Sequence, residues 1–186
     1  MPLKHLPNAF TILRFLLIVP FLGFFYQKNY ANALYIFLLA GFTDGLDGWL
    51  ARQFNWQSSL GLVLDPIADK LLIVSSFIAL ALMSKIPWWL LELVLFRDLS
   101  ILLGVFAWYR VMKRGLEFKP TILSKINTGI EFFLISYCLF EQAFYWFSPL
   151  LKYSLIGLVT FTTTASYIEY MWMWARRAAL NQPKNK

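Results

Sequence analysis

Between Asp44 and Lys70 the chain reads DGLDGWLARQFNWQSSLGLVLDPIADK, and its four carboxylates form two pairs, Asp44 with Asp47 and Asp65 with Asp69. Separations of three and four residues put side chains on one helical face, about 60° and 40° apart around the axis. Two helices therefore offer four carboxylates to one shared cavity. Hard divalent cations such as Mg²⁺ take carboxylate oxygens, and four aspartates neutralise two such ions.

The elements that must position these acids are set by composition. Of 186 residues, 59% are hydrophobic and 15% charged, more apolar surface than a chain this short buries as a soluble globule. A hydrocarbon core about 30 Å thick is crossed by roughly 20 helical residues. Windows of that kind fall at residues 9–26, 30–42 with a charged helical continuation, 60–83, 88–109, 121–145 and 150–174. The expected fold is all-α, a single polytopic domain over residues 1–186 with six transmembrane helices. The polar lead, residues 1–8, is too brief for a removable signal peptide. Pro120 and Thr121 mark the start of the fifth span, and Ser148 and Pro149 open the sixth. Cys138, the single cysteine, lies in an apolar run and reads as packing material.

Lys4, Arg52, the basic connection of Arg110, Lys113, Arg114, Lys119 and Lys125, and the tail of Arg176, Arg177, Lys184 and Lys186 fall on one side. Lys28, Lys85 and Lys152 fall on the other, a bias of eleven to three. The positive-inside rule then places both termini and a cavity holding all four acids on the cytoplasmic face. The net charge of +7 is spread along membrane flanks, so nucleic acid is not an expected partner. Topology alone explains the basic connection as well as specific binding does, and anionic headgroups are attracted in either case.

A central Asp, Lys or Arg costs roughly 2.5–3.5 kcal/mol on insertion, so four deep, unpaired carboxylates cost on the order of 10 kcal/mol. Divalent cations offset this; Arg52 and Lys70 offset only part. Simple helix-to-helix pairing with Arg52, Lys70 and Arg97 accounts for one such acid more readily than for four. A proton or ion pathway, the mark of a transporter, also uses acidic relays. No matching chain of ionisable residues continues to the opposite side. The adjacent Arg97 and Asp98 are expected to face the bundle interior.

Asp44, Asp47-Gly48, Ala51-Arg52, Gly61, Asp65 and Asp69, at the spacing found here, resemble the defining motif of the CDP-alcohol phosphatidyltransferases. The resemblance covers the whole chain. LPNAFTILR (Leu6 to Arg14) and DPIADK (Asp65 to Lys70) look like the branch of phosphatidylglycerophosphate synthases and eukaryotic-type cardiolipin synthases.

The resemblance implies that Asp44, Asp47, Asp65 and Asp69 hold two divalent ions, Mg²⁺ or Mn²⁺, and that Asp69 is also the base for the acceptor hydroxyl. Such a metal pair grips the attacking and leaving oxygens of an in-line displacement. The donor implied is CDP-diacylglycerol, and CMP leaves. Gly48, Ala51, Arg52 and Gly61 would contact the donor. Small residues in membrane helices also serve packing alone, whereas Arg52 can fork onto a phosphate. Asn8, Thr11 and Arg14 line the same mouth, although a helix cap and an interface-anchoring arginine explain them equally well. A homodimer among membrane lipids is implied, and a bacterial cytoplasmic membrane is expected.

Two acceptors fit the branch, glycerol-3-phosphate and phosphatidylglycerol. RDLSILLGVFAWYR from Arg97, KPTILSKINT from Lys119 and FTTTAS from Phe161 look like the cardiolipin synthase versions of these segments. Phosphatidylglycerophosphate synthases usually carry Arg-Glu and a further arginine eight residues after the first; here those positions are Asp98 and Val105. Phosphatidylglycerol is therefore the expected acceptor, with Arg97, Arg110, Lys119 and Lys125 as the cations available to it.

Overall fold

The computed structural model describes the backbone of residues 6–54, 61–112, 121–145 and 148–180, and side chains within 12–43, 67–104, 121–145 and 148–176 together with Gly45. Six α-helices follow one another: α1 (Leu6–Tyr26), α2 (Tyr30–Phe54), α3 (Gly61–Leu82), α4 (Trp88–Met112), α5 (Ile122–Phe144) and α6 (Pro149–Leu180). No strand occurs among the described residues.

Local chemistry accounts for the helix ends. Thr121, extended at φ −68° and ψ 157°, caps α5 by accepting from the Ser124 amide at 3.1 Å, satisfying one of the donors that a helix start leaves open. After α1, the Asn29 amide reaches Phe24 O at 2.9 Å and the Lys28 amide reaches Phe25 O at 3.0 Å. The same pattern closes α3, from Lys85 to Leu80 and from Ser84 to Ala81, both at 2.9 Å. These paired bonds are Schellman closures. Lys28 and Ser84 adopt φ of 59° and 55° to make them, a left-handed conformation more usual for glycine. The resulting turns fold α2 back along α1, and α4 back along α3.

Helix α2 continues without a break through Asp44 and Asp47 to Phe54, as expected. Helix α6 runs past the expected end at residue 174, because no Gly or Pro interrupts residues 158–180. At 1.5 Å per residue its 32 residues measure about 48 Å.

The core is aromatic and aliphatic, with Phe21, Phe37, Phe77, Leu90, Leu134 and Val159 all fully buried. α1 packs on α2 and α3, α5 on α2, α3 and α6, and α4 on α3 and α6. Cys138 packs within this core. The surface inverts the soluble pattern: Leu16, Val19, Phe96, Leu103, Phe161 and Trp172 are exposed, while Arg14, Arg97, Asp98, Asn127 and Glu131 are buried. Among the described residues one helix, Ile122–Phe144, is long and apolar enough to cross a membrane by length and composition, and Ile12–Tyr26 and Tyr30–Thr43 are shorter apolar stretches.

Candidate active site

Asp69 lies in the third turn of α3, where its carboxylate accepts from Nη1 of Arg14 on α1. The guanidinium is fully buried, whereas the carboxylate is about one-third exposed. That open side meets a cavity of about 790 Å³. Three helical stripes wall the cavity: Tyr35, Leu38, Leu39 and Phe42 of α2, Asp69, Leu72 and Ile73 of α3, and Thr128, Gly129 and Phe132 of α5. Spacings of three and four residues put each set on one face. Arg14 and Asp69 are the charged residues of the described cavity wall, and the rest of that wall is mainly apolar.

The α2 backbone at Asp44 lies one turn beyond Gly41, which borders this cavity, and Asp65 lies one turn before Asp69 on α3. The side chains of Asp44, Asp47 and Asp65 are outside the described residues. Among the described residues no group of three or more metal-ligating side chains forms, since only one of the four aspartates is among them. Donor chemistry fits a divalent ion: Asp69 presents a partly exposed carboxylate, and the motif places three further hard oxygen donors on the two helices that border its cavity.

The other expected site residues divide in the same way. Gly48, Ala51, Arg52, Gly61, Asn8, Thr11 and Arg110 fall on helices, with side chains outside the described residues; Lys119 lies outside them altogether. Lys125 is exposed in the first turn of α5. Arg97 and Asp98 face the interior, as expected. Arg97 donates from Nη1 to Asp98 Oδ1 at 2.6 Å, and from Nη2 to Ser124 Oγ at 2.6 Å and Ser166 Oγ at 2.7 Å. Its guanidinium also lies 5.8 Å from the centre of the Tyr170 ring, a cation–π separation.

Two further arrangements, beside the pairing of Asp69 with Arg14 rather than with Arg52, Lys70 or Arg97, go beyond the sequence pattern. Lys70 turns to α4, donating to Asp98 Oδ2 at 2.6 Å, rather than serving only as a counter-ion for the four aspartates. Deeper, Asn127 donates to Glu131 Oε1 at 2.6 Å and accepts from Thr162 and Thr163 at 2.7 and 2.9 Å. The four-residue spacing of Asn127 and Glu131, and the threonine run on α6, were the available signals.

A family model described as CDP-alcohol phosphatidyltransferase matches residues 4–175. Human cardiolipin synthase (CMP-forming) is 34% identical over 181 residues, covering 89% of this chain and 60% of that protein. A probable cardiolipin synthase (CMP-forming) of Drosophila melanogaster is 34% identical over 182 residues, covering 88% and 56%. A probable phosphatidylglycerophosphate synthase of Mycobacterium tuberculosis is 36% identical over 119 residues, covering 61% of this chain and 56% of that one. The chain thus spans 60% or less of the length of each of these relatives.

Proposed function

The chain belongs to the CDP-alcohol phosphatidyltransferase family, and from that premise we propose that it transfers the phosphatidyl group of CDP-diacylglycerol to phosphatidylglycerol, forming cardiolipin and CMP. The observation that carries this reading is the Asp69 carboxylate in the wall of a largely apolar cavity of about 790 Å³. Its volume falls within the range of about 300–1,000 Å³ usual for ligand pockets. A hydroxyl reaches the base while apolar chains take the wall.

In this reading Asp69 accepts the proton of the acceptor hydroxyl as its oxygen bonds to the phosphatidyl phosphorus. The bond from that phosphorus to the bridging oxygen breaks, and the electron pair leaves with CMP. Asp44, Asp47, Asp65 and Asp69 would hold two Mg²⁺ or Mn²⁺ ions, which would supply Lewis-acid polarisation of the phosphoryl oxygens and charge screening there. Arg14, buried against Asp69, holds the carboxylate toward the cavity. Gly48, Ala51, Arg52, Gly61, Asn8 and Thr11 seat the donor. Arg110, Lys119 and Lys125 supply the positive charge for the acceptor phosphodiester, and Arg97 contributes from within the bundle.

Arg97's engagement with Asp98, Ser124 and Ser166 favours an acceptor with one negative charge. A second reading, glycerol-3-phosphate as acceptor, draws on the relatives named as phosphatidylglycerophosphate synthases and on the exposed Lys125.

The exposed apolar coat and buried polar interior support six membrane spans, since irregular or charged groups at depth must face protein. The positive-inside bias puts the site on the cytoplasmic side. The relatives come from bacteria and eukaryotes, so this reading takes in a eukaryotic organelle membrane as well as the bacterial cytoplasmic membrane expected from the sequence. A homodimer belongs to the same proposal, by family resemblance.

The test supplies purified protein with labelled CDP-diacylglycerol and Mg²⁺, offering the two acceptors in parallel, with chelator and Asp69→Asn controls. Cardiolipin from phosphatidylglycerol, lost with chelator and restored by Mg²⁺ or Mn²⁺, is the expected result. Product from glycerol-3-phosphate alone favours the second reading. Release of CMP unaffected by chelator removes the metal mechanism.

A further inference from the structure

Asp69 and Lys70 are consecutive on α3, so their side chains leave the helix axis about 100° apart. Asp69 turns to Arg14 of α1, and Lys70 turns to Asp98 of α4. Asp98 shares its second oxygen with Arg97, and Arg97 extends to Ser124 of α5 and Ser166 of α6. Asp98 and Arg97 are 6% and 2% exposed, so the anchor end is shielded from water, while Lys70 reaches it from a side chain that is 33% exposed. Two cations meet on one carboxylate, with the buried Glu131 of α5 a second acid within electrostatic reach of Lys70, Arg97 and Asp98. Two hydroxyls and the Tyr170 ring also meet the Arg97 guanidinium.

The consequence is geometric. Packing of Leu72, Ile73 and Phe77 sets the face that α3 presents. The Arg14 tie alone still lets the helix pivot about that contact; a second tie at another azimuth removes the pivot unless an ion pair breaks. With a carboxylate about 6 Å from the axis, a 20° swivel displaces it by about 2 Å. Misplacement of a reacting group by about 1 Å costs as much as 100-fold in rate.

We propose that Lys70 is a positioning residue: through Asp98 it fixes the rotation of α3 against α4, α5 and α6, and so aims the Asp69 carboxylate at the acceptor hydroxyl. Lys70 does this without contacting either lipid. The proposal rests on Asp69 acting as the base, as argued above. Asp98 supplies the anchor, and Arg97 keeps the anchor from turning.

The test uses the full chain in detergent–lipid micelles with CDP-diacylglycerol and phosphatidylglycerol, comparing Lys70→Met, Lys70→Arg, Asp98→Asn and the Lys70→Met/Asp98→Asn double variant. Lys70→Met keeps the side-chain stem and leaves Asp98 paired with Arg97. Lys70→Gln is the substitute should its folded yield be low, and kcat is normalised to the folded fraction. The expected result is a fall in kcat of about 10- to 100-fold for Lys70→Met, with both KM values within about twofold of wild type. Lys70→Arg recovers most of that rate, and the double variant is no slower than its slower parent, as two parts of one device require. Unchanged kcat per folded molecule in Lys70→Met overturns the proposal, because the pair is then only structural. A raised KM for either lipid at unchanged kcat also overturns it, because Lys70 is then a substrate contact. Asp69→Asn, measured alongside, separates the two levels. Wild-type kcat there removes the base itself, whereas an inactive Asp69→Asn beside a fully active Lys70→Met removes only the positioning role.

Discussion

Arg14 of α1 and Asp69 of α3 form an ion pair whose two ends differ in exposure, the guanidinium fully buried and the carboxylate about one-third open. The protein side of the pair holds, and the cavity side is left for chemistry. Replacing the carboxylate by an amide keeps an oxygen for Arg14 and removes the group proposed as the base. Asp69→Asn also takes the counter-charge from a fully buried guanidinium, so it is expected to lose about 1–3 kcal/mol of stability together with about 10²- to 10⁴-fold in turnover. Asp69→Ala removes that oxygen as well, and is expected to lose the same activity and about 3–5 kcal/mol of stability. Thermal unfolding in detergent, beside CMP release, separates the two effects.

The cavity contains two glycines with opposite predicted responses. A Cβ on Gly41 would overlap the ring of Phe132, itself stacked on Phe37 at 4.5 Å. Gly41→Ala is therefore expected to destabilise by about 1–3 kcal/mol, the usual cost of overpacking. Around Gly129 nothing lies within 4 Å of such a Cβ. Gly129→Leu is expected to keep or raise stability, by up to about 1 kcal/mol from helix propensity, while filling cavity volume. The measured signature is a fall of about 4- to 15-fold in the ratio of kcat/KM for dioleoyl- over dihexanoyl-phosphatidylglycerol, since one or two lost methylene contacts cost about 0.8 kcal/mol each. An unchanged ratio assigns the cavity to something other than an acyl chain.

Much of this arrangement is legible in the sequence because its signals are local. The starts of α2 at Tyr30, α4 at Trp88 and α6 at Pro149 follow from polar breaks and proline, and the Thr121 cap from a hydroxyl ahead of an apolar run. The interior position of Arg97 and Asp98 follows from the cost of charge in lipid. What the sequence does not carry is which distant groups meet. Lys70 has acids before it at Asp65 and Asp69, yet it pairs with Asp98, 28 residues away. Neighbouring helical positions diverge by about 100°, so Lys70 cannot share Asp69's direction. Which helix waits on that side depends on bundle packing, as does the meeting of Asn127 with Thr162 and Thr163.

Arg97 makes three hydrogen bonds to three helices, its own included. The planar fork of arginine reaches several acceptors at once; a lysine ammonium on a flexible stem does not reproduce it. Arg97→Lys is expected to lower stability by about 2–4 kcal/mol, from two or more buried groups left unsatisfied. KM for phosphatidylglycerol is expected to stay within about twofold, because the guanidinium is already committed inside the bundle. A rise in KM without loss of stability would make Arg97 a direct acceptor contact.

The topology is testable with the chain's own cysteine as an internal blank. Cys138 is buried in the core, so an impermeant maleimide is expected to leave the wild-type protein unlabelled. Gln27, exposed in the turn between α1 and α2, and Lys125, exposed in the first turn of α5, lie at opposite ends of the helices they adjoin. In sealed cells, Gln27→Cys is expected to react from outside, and Lys125→Cys only after permeabilisation. The physical reason is charge: the positive-inside rule favours the cytoplasmic side for the basic connection that contains Lys125, while the α1–α2 turn carries only Lys28. Labelling of Lys125→Cys from outside would invert the bundle and move the Asp69 cavity to the opposite face. CDP-diacylglycerol would then have to be reached from the other leaflet, and the positive-inside bias would no longer explain where the site lies.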